Sequence, residues 1–285
     1  MGCKTVIHRD KDLAAGRAGE ELCGAWDEIQ RLSRRKLLKV GAAGVGGALL
    51  GSMTGLMGVA DRAYADQAVK TGRFIFPRLQ FSVYDGTPDK WNVGPSGDVT
   101  LRKQLQALTN INVSMEPKVV RLGQFDELCR YPFVFMTSEG RFKLPEQEEK
   151  NLREYIDRGG FVFADDCVAY SKHDWFFLEY RALLDRLFRD NPMQHIPADH
   201  EVYHVYFDFP QGSPHMQGVR LHDGKPGAWA LFQPGSTEPL NRRRIVSYLD
   251  PGDLHCGWMC RYWGMSKNAQ AIKMGANVII YFLSH

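Results

Sequence analysis

An α/β fold with a mostly parallel sheet is predicted by three observations: two short apolar runs, an amphipathic stretch between them, and the brevity of the joints. Phe133–Met136 and Phe161–Ala164 have the length and β-rich character of strands buried on both faces. Between them, Pro145 suits the first helical position and Glu146, Glu148 and Glu149 lie where the positive helix end favours anions. Leu152, Tyr155 and Ile156 recur at core-facing spacing, and Gly159-Gly160 supplies a left-handed cap. Strand, helix of about three turns and strand make a right-handed crossover, so the two strands are expected as parallel neighbours. Ligands of open parallel sheets collect at the carboxyl ends of strands. Those ends are Thr137-Ser138-Glu139-Gly140 and Asp165-Asp166-Cys167.

The remaining elements follow the same rules. Phe74–Phe81 reads as a first strand, with Pro77 marking an edge or a bulge. Trp91–Gly97 has loop chemistry, and Asp98 is expected as the N-cap of a helix that presents Leu101, Leu105 and Leu108 on one face. Ile111–Met115 and Lys118–Leu122 are short β-rich pieces. A helix is expected from Asp174-Trp175 to Phe188, closed by Asn191-Pro192. Residues 200–209 lose helical spacing and read as a turn into an extended segment, and 211–227 as a Gly/Pro/His loop. Trp229–Phe232 and Arg244–Leu249 read as strands and Asn268–Phe282 as a closing apolar helix.

Charge separates the front of the chain from the rest. The whole excess of +3 in 285 residues lies in residues 1–65, and beyond them acidic and basic residues balance. No basic surplus marks a nucleic-acid partner. Within the front, Ser33-Arg34-Arg35-Lys36-Leu37-Leu38-Lys39 precedes a Gly- and Ala-rich apolar run to Ala60. Ala63 and Ala65 then offer the small residues a signal peptidase reads. The segment resembles a twin-arginine (Tat) signal. The reading divides the chain into a leader (1–32), a Tat signal peptide (33–65) and a single α/β domain (66–285). It implies passage through the Tat translocase and a periplasmic or extracytoplasmic location. The alternative is membrane anchoring by an uncleaved signal, against which the recurrent glycines from Gly41 to Gly58 argue by weakening a self-standing helix.

Several phrases carry a resemblance: Phe74–Phe81, Trp91-Asn92, Thr109-Asn110-Ile111, Tyr131-Pro132-Phe133, Phe161–Cys167, Asp199-His200, Cys256-Gly257-Trp258 and Met274–Val278. Together they resemble the family described as domain of unknown function 4159, over nearly all of residues 72–283. The resemblance implies a flavodoxin-like, three-layer α/β sandwich related to class I glutamine amidotransferase-like and trehalose-utilisation (ThuA-like) domains. It implies no established activity.

Five residues are candidates for catalysis: Glu139, Asp165, Asp166, Cys167 and His200. With Trp258, the strand-end carboxylates and His200 are expected on one rim. Carboxylates at adjacent strand ends are able to bind a divalent ion or polarise a sugar hydroxyl, and equally to cap helices. Cys167 follows a strand as an amidotransferase nucleophile does, but lacks the flanking glycines of the elbow and sits beside two carboxylates that disfavour a thiolate. His200-Glu201-Val202-Tyr203-His204 spells the zinc-protease string, in a segment without helical spacing. Asp165, Asp166, His200, His204, Cys256 and Cys260 form the weak metal set; Cys256 and Cys260 also offer the nearest disulfide pairing among Cys129, Cys167, Cys256 and Cys260. No cofactor is expected, a divalent metal being the alternative. The function expected is non-catalytic binding or accessory work in the cell envelope, on a protein or carbohydrate partner. The competing class is a hydrolase-like enzyme dependent on metal or carboxylate.

Overall fold

The computed structural model describes residues 72–83, 90–168, 174–219 and 221–285. The leader and the signal segment, with Arg34, Arg35, Ala63 and Ala65, lie outside the described residues. In chain order the elements are β1 (Pro77–Gln80), α1 (Pro95–Leu108), β2 (Lys118–Arg121), α2 (Phe125–Leu128), β3 (Phe133–Glu139), α3 (Glu146–Asp157), β4 (Phe161–Cys167), α4 (Trp175–Leu187) and β5 (Gln194–His195). They continue with β6 (Leu221–His222), β7 (Lys225–Pro226), β8 (Trp229–Phe232), β9 (Ile245–Asp250), α5 (Leu254–Trp258) and α6 (Met265–Ser284). Among the described residues no helix is long and apolar enough to cross a membrane.

The main sheet runs β2-β1-β3-β4-β9-β8-β5. Its first five strands are parallel, while β8 is antiparallel to β9 and β5 to β8. The β3-α3-β4 crossover forms as the apolar runs and short joints require, with Phe133 opposite Phe161 and Glu139 opposite Cys167. Three local readings change. Pro77 lies in an inner strand, at its first residue, where a missing N–H is tolerated. Pro145 is the N-cap of α3, and its first helical residue is Glu146. Helix α1 begins at Pro95, so Asp98 lies in its first turn and caps nothing. Its carboxylate instead meets a buried arginine, a tertiary partner that local sequence does not display.

Alternation along the strands builds two cores. Phe133, Phe135, Phe161, Phe163 and Tyr248 pack with Leu101 and Leu105 of α1, Trp258 of α5 and the apolar face of α6. Val134, Met136, Val162, Ala164 and Leu249 face the other way, against α3 and α4. Full burial of each large side chain stabilises by roughly 1.5–3 kcal/mol relative to exposure. Trp258 is fully buried, its ring 5.1 Å from Phe135 and its Nε1 donating to Ala271 O at 2.9 Å. It therefore belongs to the core and not to the rim. Gly160 admits the ring of Tyr155, since a Cβ there would stand 2.4 Å from it. Tyr155 Oη then reaches Tyr131 O at 2.8 Å, tying the end of α3 to the start of β3.

Candidate functional site: the carboxyl edge of the sheet

Parallel strands bring their carboxyl ends to one edge, and alternation sends successive side chains to opposite faces. On the face covered by α1 and α5 the edge carries Arg78 of β1, Asp165 and Cys167 of β4 and Asp250 of β9. The guanidinium of Arg78 is buried, with Nε and Nη2 donating to the Asp98 carboxylate at 2.8 and 2.5 Å and Nη1 to Val93 O at 2.7 Å. His255 Nε2 lies 2.8 Å from Arg78 Nη2 and accepts from it, since the guanidinium has only donors. Burial, helped by the Arg78 charge, holds the His255 imidazole below its ordinary range and so neutral. For Asp98 burial pushes upward, but the Arg78 charge and the hydrogen bonds from Arg78 win and lower its carboxyl. Close approach of α1 to α5 depends on Gly97: a Cβ there would sit 2.9 Å from His255 Nε2.

Asp165 aims both carboxylate oxygens at the start of α5, accepting the N–H of Leu254 at 3.0 Å and of His255 at 2.9 Å. Burial and then the Asp250 and Asp253 charges push its carboxyl well above the usual range. Asp250 is also raised by burial, although it accepts from Ser213 Oγ, from Tyr248 Oη at 2.8 Å and from Gly252 N at 2.6 Å. Cys167 ends β4 with its Sγ 3.6 Å from that of Cys256, and Asp253 completes a buried group with the two thiols. The Cys256 contact draws the Cys167 thiol down, but burial and the neighbouring carboxylates outweigh it and raise it. Cys256 is raised too, by Cys167 first and then by burial. Cys167 is not among the non-glycine residues with positive φ, so it occupies ordinary strand backbone and not a strained elbow.

On the opposite face Asp166 accepts Phe177 N at 3.2 Å, which caps the first turn of α4. Adjacent in sequence, Asp165 and Asp166 thus serve different helices on different sides of the sheet. Glu139 is half-buried opposite Cys167. Arg141, beside it in the loop, is engaged with Glu179 at 2.8 Å and lies over the Trp175 ring.

His200 is not brought to this edge. Its Nε2 pairs with Arg243 O at 3.0 Å, just before the first residue of β9, and its ring packs on Phe232 and Tyr281. Asp165 faces the last residue of β9, so the two lie at opposite ends of the sheet. His200 Nδ1 accepts Val202 N at 3.1 Å, and burial lowers its imidazole. The zinc-protease string forms a 3₁₀ turn over Glu201–Tyr203, and His204 meets Asp208 and Ala198 O at 2.6 and 2.8 Å. Both imidazoles are thereby occupied without sharing a helix face. Cys260 packs in the core near Trp258, and Cys256 meets Cys167 instead.

A crevice of about 490 Å³ lies at the same edge beyond β1 and β2, lined in part by Ser82, Trp91, Arg121, Gln124 and Glu148. It stands at the carboxyl ends of the neighbouring strands β1 and β2. The Glu148 carboxylate accepts Ser82 N at 2.9 Å and Ser82 Oγ at 3.0 Å, which fixes one wall. Sequence reasoning missed Arg78, Asp98, Asp250 and Asp253 as members of this edge. For Asp250 and Asp253 the signal was present, because Asp250-Pro251-Gly252-Asp253 follows a strand as Asp165-Asp166 does. Arg78 and Asp98 carry no such signal, since a pairing across 20 residues emerges only from the tertiary fold. A comparison with curated proteins gave no match. Residues 76–283 match the family model described as Domain of unknown function (DUF4159), and the chain belongs to that family.

Proposed function

We propose that this protein is a non-catalytic binding or accessory module of the cell envelope, exported through the Tat translocase and working in the periplasm or another extracytoplasmic space. One observation carries the reading: the strand-end carboxylates are committed to holding helices, Asp165 to α5 and Asp166 to α4. A buried carboxylate that accepts two backbone N–H groups supports a fold before it supports turnover. The thiol of Cys167 is raised and the imidazole of His200 is occupied far from the edge, which weighs against nucleophilic catalysis. The parallel order β2-β1-β3-β4-β9 supports the flavodoxin-like fold and the kinship with amidotransferase-like and ThuA-like domains. In that architecture ligands settle outside the carboxyl ends of the strands, and the crevice of Ser82, Trp91, Arg121 and Gln124 at the ends of β1 and β2 is the ligand site of this reading. Its aromatic face and polar donors suit a carbohydrate or an envelope-protein segment.

The test is calorimetric titration of soluble cell-wall glycan fragments and envelope extracts into the purified protein, with Gln124→Ala and Trp91→Ala for comparison. Saturable binding without turnover, weakened at least about 10-fold by both changes while the fold is retained, is the expected result. The competing reading is a hydrolase in which the raised carboxyl of Asp165 acts as an acid on a carbohydrate or amide. Turnover of such a substrate, abolished by Asp165→Asn in a folded protein, would replace the binding reading.

A further inference from the structure

We infer that Cys167, Cys256 and Asp253 form a binding site for a thiophilic divalent cation of the zinc class. Ligand atoms from all three residues lie within 4.8 Å of one another, and all three residues are buried. The separation of the sulfurs is 3.6 Å. Two thiolates on one tetrahedral zinc, each about 2.3 Å from the metal, stand about 3.8 Å apart, whereas a disulfide needs about 2.05 Å. The thiols therefore already occupy the spacing that a shared ion imposes. The donor set also selects: two sulfurs favour a soft or borderline ion, and the carboxylate disfavours Cu(I) relative to Zn(II). Three protein ligands leave a fourth position for water or a ligand atom.

The surroundings hold these ligands as a metal site requires. Asp253 is the N-cap of α5 with φ 62°, a left-handed conformation rare for a side-chain-bearing residue. It places Asp253 one turn before Cys256, on the side where both meet Cys167. Asp165 fixes the same turn through the N–H groups of Leu254 and His255. Gln217 Nε2 donates to Asp253 Oδ2 at 2.6 Å and to Val168 O at 2.7 Å, orienting the carboxylate from behind as outer-shell partners do. The site is separate from the crevice at β1 and β2, so it stands whatever that crevice binds.

The experiment titrates Co(II) and Zn(II) into the reduced, chelator-stripped full-length protein. One ion per chain is expected, with a sulfur-to-cobalt charge-transfer band and a higher Tm. Cys167→Ser or Cys256→Ser should weaken binding more than about 100-fold, beyond the roughly 10–100-fold that loss of an outer-shell partner costs. A second measurement guards against variants that fail to fold: Zn(II) should slow alkylation of Cys167 and Cys256 in the wild type and leave Cys129 and Cys260 unchanged. Absence of uptake by reduced wild type with native circular dichroism would overturn the site. So would unchanged affinity in a folded variant that combines Cys167→Ser with Cys256→Ser, or protection that spares Cys167 and Cys256.

Discussion

His200 shows how one residue type changes meaning with its address. Sequence places it within a zinc-protease string and on a catalytic rim; the fold buries it against Phe232 and Tyr281 with both ring nitrogens engaged. Because Nδ1 accepts from Val202 N, Nε2 carries the proton and donates to Arg243 O, which describes a neutral imidazole. Burial lowers its folded pKa beneath the ordinary value of about 6.5. The unfolded chain therefore binds a proton first as pH falls. His200 contributes stability fully above about pH 6.5 and loses it as pH drops below that value toward the folded pKa. The stability advantage of wild type over His200→Gln should be largest near neutrality and shrink below about pH 6.5, read by urea denaturation across pH. An advantage that grows on acidification would mean a charged, partnered imidazole.

At the scale of elements, the joints between strands and helices decide what the carboxyl edge can do. The β3-α3-β4 crossover was legible because its signals are local: an apolar run, an anionic first turn, a glycine pair. Assignment of Asp165 and Asp166 to particular helices was not legible, because α5 lies 89 residues beyond Asp165 and arrives there only through β9. Asp166→Asn should leave the fold intact and cost about 1 kcal/mol, in line with a lost helix-end contact. In a domain of this size that lowers Tm by about 2–4 °C. Scanning calorimetry of the variant reads it directly. An unchanged Tm, together with loss of ligand or metal binding, would make Asp166 a functional residue in place of a structural one.

For the whole molecule, five parallel strands put a crevice, a buried arginine network and a thiol–carboxylate group along one edge of a single sheet. The proposed export depends on residues ahead of that sheet. The Tat machinery reads two planar guanidinium groups, and a lysine offers only a point charge. Arg34→Lys combined with Arg35→Lys should therefore hold the precursor in the cytoplasm, seen by fractionation and immunoblotting. Normal export of the double variant would remove the Tat reading and the envelope location with it. What sequence by itself determined about this protein is the α/β class, most strands and helices, and the edge where polar residues gather. Those follow from periodicity and turn chemistry over a few neighbouring residues. The tertiary structure alone decided which polar groups share that edge. It joined Arg78 to Asp98 and His255, set Cys256 against Cys167 instead of Cys260, and carried His200 to the opposite end. The reason is physical: contacts across 20 to 177 residues depend on strand order and on which face each side chain takes. Beyond the β3-α3-β4 crossover, neither strand order nor helix placement is encoded in a local window of the chain.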